Sequence, residues 1–247
     1  MDMDFHRFDH NFCESKIYST NGSNPEFFNA GSSLFITFIG FNGLRRVNQP
    51  LYAAFVINGL TSCGYHLLNT IGWGLLDRMS MILIAWTCLN LMDIPAVLRH
   101  AGVASCLRKI STLLVLFYFT VLLTAAGLHW ETVFNLLFGV FLTSLAGYVY
   151  YVGQHSVVPT GILALAHRGL KSMVLSGLFW VVTENLCGLP YVKYLFGHVW
   201  WHVFVSYGGY LISLTPLYLQ NRRLTLRYDV FGLPYLLPTP PIYRGMV

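Results

Sequence analysis

Histidine is uncommon inside long apolar stretches, because a buried imidazole needs a partner. Three histidines of this chain sit in such stretches. His66 lies in the run 51–70, and His198 and His202 lie four residues apart in 195–219. The others (His6, His10, His100, His129, His155 and His167) fall in polar connections or near the ends of apolar runs. On a helix the i, i+4 spacing puts His198 and His202 on one face, with Cβ atoms about 6 Å apart. That suits two ligands of one metal ion. The intervening Val199-Trp200-Trp201 holds no glutamate, so this is not the HExxH pattern, and a general base must come from another helix. His66 is the candidate third ligand. Ser62 stands one helical turn before it, and Asp77 follows eleven positions after it. Three histidines leave the fourth position of a catalytic zinc site open. Zinc polarises a carbonyl and brings the pKa of bound water down to about 7. Asp77 is then the candidate acceptor of the water proton, and Ser62 the candidate donor to the oxyanion.

The elements that must carry these residues are membrane helices. The chain has 247 residues, of which 55% are hydrophobic and 10% charged, with a mean hydropathy of +0.56. Soluble domains carry about 25% charged residues. A helix needs about 20 apolar residues to cross a bilayer, and lipid leaves no partner for an open strand. Seven spans are predicted, at 27–43, 51–71, 76–95, 111–128, 132–151, 170–187 and 195–219. The fold is therefore read as an all-α, seven-transmembrane bundle over 27–221. A polar segment, 1–26, precedes it, and a tail, 222–247, follows. The first 26 residues lack the apolar core of a cleavable signal peptide. No internal repeat or low-complexity tract is visible.

Lysine and arginine set the orientation. One side of a seven-span chain carries Arg45, Arg46, Arg99, Arg108, Lys109, Arg168, Lys171, Arg222, Arg223, Arg227 and Arg244. The other carries Arg7, Lys16, Arg78 and Lys193. The imbalance predicts a cytosolic C-terminus and a lumenal or outer N-terminus. The net charge of +5 is then a topology signal and does not point to nucleic acid. In that arrangement His66, His198 and His202 share one depth near the lumenal ends of their helices. Five cysteines are too few for a disulfide framework. Cys63 and Cys88 read as small apolar residues, and Cys106 as a reduced cytosolic thiol. Cys13 and Cys187 both fall on the lumenal side, where a bridge can form.

Plainer readings exist for each feature. HxxxH alone is a weak motif, and polar residues also hold membrane helices together. Trp200 and Trp201 read as interfacial anchors, and Asp93 and Glu184 as span ends. Tyr207, Gly208 and Gly209 read as a close helix contact, and Gly72-Trp73-Gly74 as the turn between the second and third spans. The tail from Phe231 to Val247, with four prolines, reads as extended and mobile. What favours a metal site is the agreement in depth of His66, His198, His202, Ser62 and Asp77.

Three blocks give the chain a wider resemblance. The first is Cys13-Glu14 with Glu26-Phe27-Phe28-Asn29. The second is Ser62-Cys63-Gly64-Tyr65-His66 with Asp77. The third is His198-Val199-Trp200-Trp201-His202 with Gly209-Tyr210-Leu211. In this order they resemble the alkaline ceramidases, seven-span zinc amidases in a superfamily shared with the adiponectin receptors. Leu224–Tyr228 also resembles the start of that family's C-terminal segment. The resemblance implies zinc on His66, His198 and His202, catalytic roles for Asp77 and Ser62, and hydrolysis of ceramide to a sphingoid base and a fatty acid. It implies a ceramide-type lipid partner, a location in the endoplasmic reticulum or Golgi, and a Cys13–Cys187 disulfide, since the matching pair is bridged in a family member.

The chain departs from the family at two places. Asp77 is followed by Arg78 where the family usually has Glu. Arg78 is expected to pair with Asp77 and make it a weaker base. The family's N-terminal calcium site is reduced here to the carboxylates Glu14 and Glu26, with Asn11 and Lys16 in place of other ligands. Calcium takes six to eight oxygens, so it is not expected to bind, and Lys16 is expected to replace it by pairing with Glu14 or Glu26. Two other readings remain beside the ceramidase. One is a hydrolase of another lipid amide. The other is a non-catalytic, receptor-like bundle with structural zinc.

Overall fold

The structure is a computed structural model. It describes residues 12–18, 25–92, 109–110, 112–113, 115–116, 130–155 and 157–238. The fourth expected span, 111–128, lies largely outside these residues, as do Asn11, Asp93, Cys106 and 239–247. The described elements are α1 (Ser15–Tyr18), α2 (Phe27–Leu44), α3 (Pro50–Leu68), α4 (Ile71–Leu91), α5 (Trp130–His155) and α6 (Thr160–Asn185). A 3-10 turn, Val192–Leu195, leads into α7 (Gly197–Gln220), and an antiparallel hairpin, β1 (Leu224–Tyr228) and β2 (Pro234–Pro238), follows.

Helix ends follow local chemistry, and two of them shift the sequence-based bounds. Pro50 opens α3 at a position where its missing N–H costs nothing. Asn69 closes it in the left-handed conformation, φ 46°, its N–H bonded to the Tyr65 carbonyl at 2.7 Å. Thr70 then caps α4 by accepting from the Trp73 N–H. The turn is therefore Asn69-Thr70, and Gly72, Trp73 and Gly74 belong to the first turn of α4. As a result Asp77 sits inside α4 rather than at its start. Helix α6 begins ten residues before the apolar stretch does. Its first turns carry His167, Arg168 and Lys171, which water can solvate without interrupting the backbone ladder.

Helices α2, α4, the 136–155 part of α5, and α6 are long and apolar enough to cross a membrane. Helices α3 and α7 are of similar length, and they bury Asn58, Ser62 and His66, and His198, His202, Ser206, Ser213 and Thr215. The outer faces are apolar. Phe28, Leu34, Phe38 and Phe41 point outward from α2, and Val174, Leu178, Val181 and Val182 from α6. Apolar surface on that scale requires lipid or a partner.

Helix α7 is the hub, packed against α6 along its length and against α2. Helix α2 pairs with α3, and α3 with α4. Gly169 and Gly208 bring α6 and α7 together, as the Gly208 motif suggests. A Cβ at Gly208 would stand 2.6 Å from the Gly169 carbonyl and from Met173 Cγ. Gly208→Ala is expected to destabilise the bundle by about 1–3 kcal/mol through overpacking. Thermal unfolding in detergent measures it. Directional bonds fix the register: Tyr52 Oη lies 3.0 Å from Ser213 Oγ, and Gln220 donates to the Leu91 carbonyl at 2.9 Å.

The hairpin is an addition to the expected all-α chain. The expected tail is extended here, but residues 231–238 pack back onto the bundle. Leu233 and Leu236 are buried, and Tyr210 donates its hydroxyl to the Pro234 carbonyl at 2.7 Å. Asp229 accepts from the Phe231 and Leu233 N–H groups in the turn, and pairs with Arg46 at 3.1 Å. The Arg46 guanidinium also stacks 3.6 Å above the Tyr235 ring.

Candidate metal centre and active site

His66 lies near the C-terminal end of α3, and His198 and His202 occupy the first two turns of α7. The bundle brings them together. Ring centroids are 4.9 Å apart for His66–His198, 5.2 Å for His66–His202 and 4.5 Å for His198–His202. One ligand atom from each lies within 4.8 Å of the others, and all three residues are buried. The group could hold a metal ion.

Two rings are oriented for that task by their other nitrogen. His66 Nδ1 is 2.6 Å from Glu26 Oε2; with Glu26 ionised, Nδ1 carries the proton that the carboxylate accepts, and Nε2 keeps its lone pair for a metal. His202 Nδ1 is 2.8 Å from Ser32 Oγ and 3.3 Å from Ser33 Oγ. Both hydroxyls are directed at the Asn29 carbonyl, at 2.9 and 2.8 Å. Their oxygens are thereby left to accept from a protonated Nδ1, which again leaves Nε2 for a metal. The donor set is three neutral imidazoles, with an outer ring of one carboxylate and two hydroxyls, and it fits zinc.

Ser62, one turn from His66 on α3, and Asp77, on α4, meet beside the histidines. Ser33 Oγ is 3.0 Å from Ser62 Oγ. Asn58, a turn before Ser62, donates its amide to Asp77 Oδ1 at 3.1 Å and approaches Ser80 Oγ at 2.9 Å. Sequence reasoning missed Asn58, although its i−4 spacing from Ser62 puts it on the same face. Ser62, Asp77, His198 and His202 line one cavity of about 140 Å³, together with Asn58 and Arg78. Arg78 is buried there. Its guanidinium donates to the Gly74 carbonyl at 3.2 Å and lies 5.7 Å from the Tyr65 ring centre.

The N-terminal segment covers the site. Phe12 is buried, its ring centre 4.1 Å from that of His198 and 5.2 Å from that of His66. The structure joins Cys13 to Cys187, just beyond α6, with Cα atoms 5.5 Å apart. The Cys13 N–H donates to Glu184 at 2.9 Å, so Glu184 is more than a solvated helix end. Glu14 accepts from the Phe28 and Asn29 N–H groups at 2.7 Å each. It caps α2 from outside the helix, where free N–H groups and the helix dipole favour an anion. Burial pushes the Glu14 carboxyl up, opposed by those two hydrogen bonds.

Lys16 is exposed and forms no ion pair among the described residues, which corrects the expected pairing with Glu14 or Glu26. Those carboxylates are occupied by backbone N–H groups and by His66 and Asn29 respectively. Trp201 also departs from expectation. It is buried and lines the cavity, while Trp200 is exposed.

Burial raises Glu26 to about 8, against hydrogen bonds from the Asn29 side chain and the Phe12 backbone. Its folded value is thus above its unfolded value near 4.5. The stability supplied by the neutral carboxyl is complete below the lower value, falls across the interval and is gone above the upper one. Zinc-stripped protein is therefore expected to lose thermal stability as pH rises through about 8, and Glu26→Gln to flatten that loss. Melting curves across this range measure it.

The Ceramidase family model matches residues 8–236. The chain belongs to the Ceramidase family. The matched range includes both histidine-bearing blocks, the serine, the aspartate, the N-terminal segment and most of the hairpin. No curated protein sequence matches the chain. Family membership makes it a ceramidase-type hydrolase of the membrane, with a lipid substrate.

Proposed function

We propose that this ceramidase-family protein is a zinc-dependent amidase that hydrolyses ceramide to a sphingoid base and a fatty acid. One observation carries the reading. Three buried histidines cluster together, and two of them, His198 and His202, line one cavity with Ser62 and Asp77 that shares apolar lining residues with a second cavity.

His66, His198 and His202 would hold the metal, with Glu26 and Ser32 fixing two of the rings. When bound, zinc supplies a Lewis acid and an acidified water. Asp77 takes the water proton as the nucleophile adds to the amide carbon, and passes it to the leaving nitrogen as the C–N bond breaks. Asn58 holds the Asp77 carboxyl in place during that exchange. Ser62 donates to the carbonyl oxygen as negative charge grows there. Phe12 keeps bulk water from the histidines, which strengthens each of these interactions.

The acyl chain has a path. A second cavity, about 50 Å³, shares Ile36, Asn58, Met81, Phe138 and Val205 with the first. It runs on past Leu51, Phe55, Ile84, Cys88 and Leu145, which leaves little for a polar group to bind. Val205 stands at the junction. Val205→Phe is expected to cut kcat/KM for long-acyl ceramides by about tenfold relative to short-acyl ones, the worth of one or two methylenes in a pocket. Chain-length competition assays read the ratio.

The histidine-bearing ends of α3 and α7 lie on the lumenal side in this proposal, with the C-terminus cytosolic and the protein in the endoplasmic reticulum or Golgi. In this proposal the chain crosses the membrane seven times. Incubating purified protein with a panel of ceramides and other lipid amides tests the function. Release of sphingoid base is the expected result. Cleavage of another lipid amide alone would overturn the substrate, and cleavage of none would overturn the hydrolase.

A further inference from the structure

One polar group in the catalytic cavity has no task in the reaction above. Trp180, on α6, lines the cavity with His198, His202, Ser62 and Asp77. Its ring centre is 6.4 Å from that of His198 and 5.4 Å from that of Trp201. The Nε1 atom is buried and has no hydrogen-bond partner among the described residues. An indole N–H is a donor only, and nothing among the described residues accepts from this one. Leaving such a donor unpaired is destabilising, whereas phenylalanine would fill much of the same space without that cost.

The hydroxyl and amide donors that α2 and α3 bring to the site have tasks of their own. Asn58, on α3, serves Asp77, and Ser62, also on α3, serves the amide carbonyl in the reaction above. Ser32 and Ser33 serve His202 and the Asn29 carbonyl. Trp180 comes from a different helix and reaches the cavity beside His198, among the rings of Phe134, Phe138 and Trp201. An apolar wall with one donor recognises an apolar ligand carrying one acceptor nearby. The amide carbonyl is taken by Ser62, so the acceptor belongs to the part attached to the amide nitrogen. In an N-acyl amino alcohol that part carries hydroxyl oxygens one carbon removed from the carbon bearing nitrogen.

We propose that Trp180 is a specificity residue whose indole N–H binds a hydroxyl oxygen of the amino-alcohol portion of the substrate. The inference rests on the amidase reading for its substrate class. It predicts that the protein separates N-acyl amino alcohols from N-acyl alkylamines of equal length by this one bond.

The test measures binding, so that it does not depend on turnover. Zinc-loaded Asp77→Asn protein is titrated with a short-chain ceramide and with the matching lipid that lacks the hydroxyls. The titrations are repeated with Trp180→Phe added. The expected result is a rise of about tenfold in Kd for the hydroxylated lipid, with no change for the other. Equal changes for both lipids, no change for either, or no binding of the hydroxylated lipid would overturn the proposal. Should the double variant not fold, the NMR signal of the Trp180 indole N–H in the zinc-loaded Asp77→Asn protein decides. A shift with the hydroxylated lipid alone supports the bond, and identical responses to both lipids overturn it. Trp180-dependent binding without turnover by the unmodified protein would remove the amidase reading and leave the Trp180 assignment standing.

Discussion

The Asp77→Asn protein is expected to keep stoichiometric zinc and lose about a thousandfold in kcat, within the range for removal of a positioned general base. The substitution is nearly isosteric. Asn58 donates to Asp77 Oδ1, and an asparagine carbonyl can accept the same bond. What disappears is the capacity to take a proton, so the loss appears in kcat, with KM little changed. Asp77 does not belong to the histidine cluster, so metal content is unaffected. This outcome separates an amidase from a receptor-like bundle with structural zinc, which would tolerate the change. Metal analysis with initial rates on the same sample checks it. A variant that retains most of its rate would remove Asp77 from the reaction.

His202→Ala is expected to abolish both zinc binding and turnover while the bundle stays folded. Three imidazoles are the whole protein ligand set, and two bind zinc far more weakly. The fold has reason to survive. Ser32 and Ser33 keep the Asn29 carbonyl as a partner, and Ser206 keeps the backbone carbonyl of residue 202. The cavity left by the ring is lined partly by polar groups and opens to the existing one, where water can enter. Circular dichroism, metal content and rate on one preparation distinguish these effects. Full zinc occupancy in this variant would mean that the ion sits elsewhere.

Much of the candidate site was legible in the sequence because it rests on helical periodicity. Ser62 and His66, and His198 and His202, share faces through i, i+4 spacing, and this needs no tertiary information. The rest depended on contacts between segments far apart in the chain. Nothing local says that Glu26 reaches His66 across forty positions, or that Glu14 caps α2 from outside. Lys16 misled because the carboxylates near it in sequence are taken by groups that only the fold supplies. Trp180 carried no signal at all, since a tryptophan in an apolar helix reads as lipid-facing or packed until its N–H is found buried without a partner.

The fold was legible to the same degree. Apolar runs located the described long helices but not their ends. Hydropathy does not register that Asn69 can turn left-handed, that Thr70 caps α4, or that α6 continues into polar residues. Helices α3 and α7 carry most of the buried polar residues of the site. The hairpin escaped notice because its prolines at 234 and 238 resemble a loose tail. Its buried face, Leu233 and Leu236, became meaningful only beside Tyr210.

The central claim is amide hydrolysis that depends on the three-histidine site. Its most direct test strips purified protein of metal, restores zinc, and follows sphingoid base and fatty acid released from ceramide. The account predicts equimolar release that vanishes on stripping, returns with zinc, and never appears with His202→Ala. Stoichiometric zinc with no release from any ceramide would contradict it.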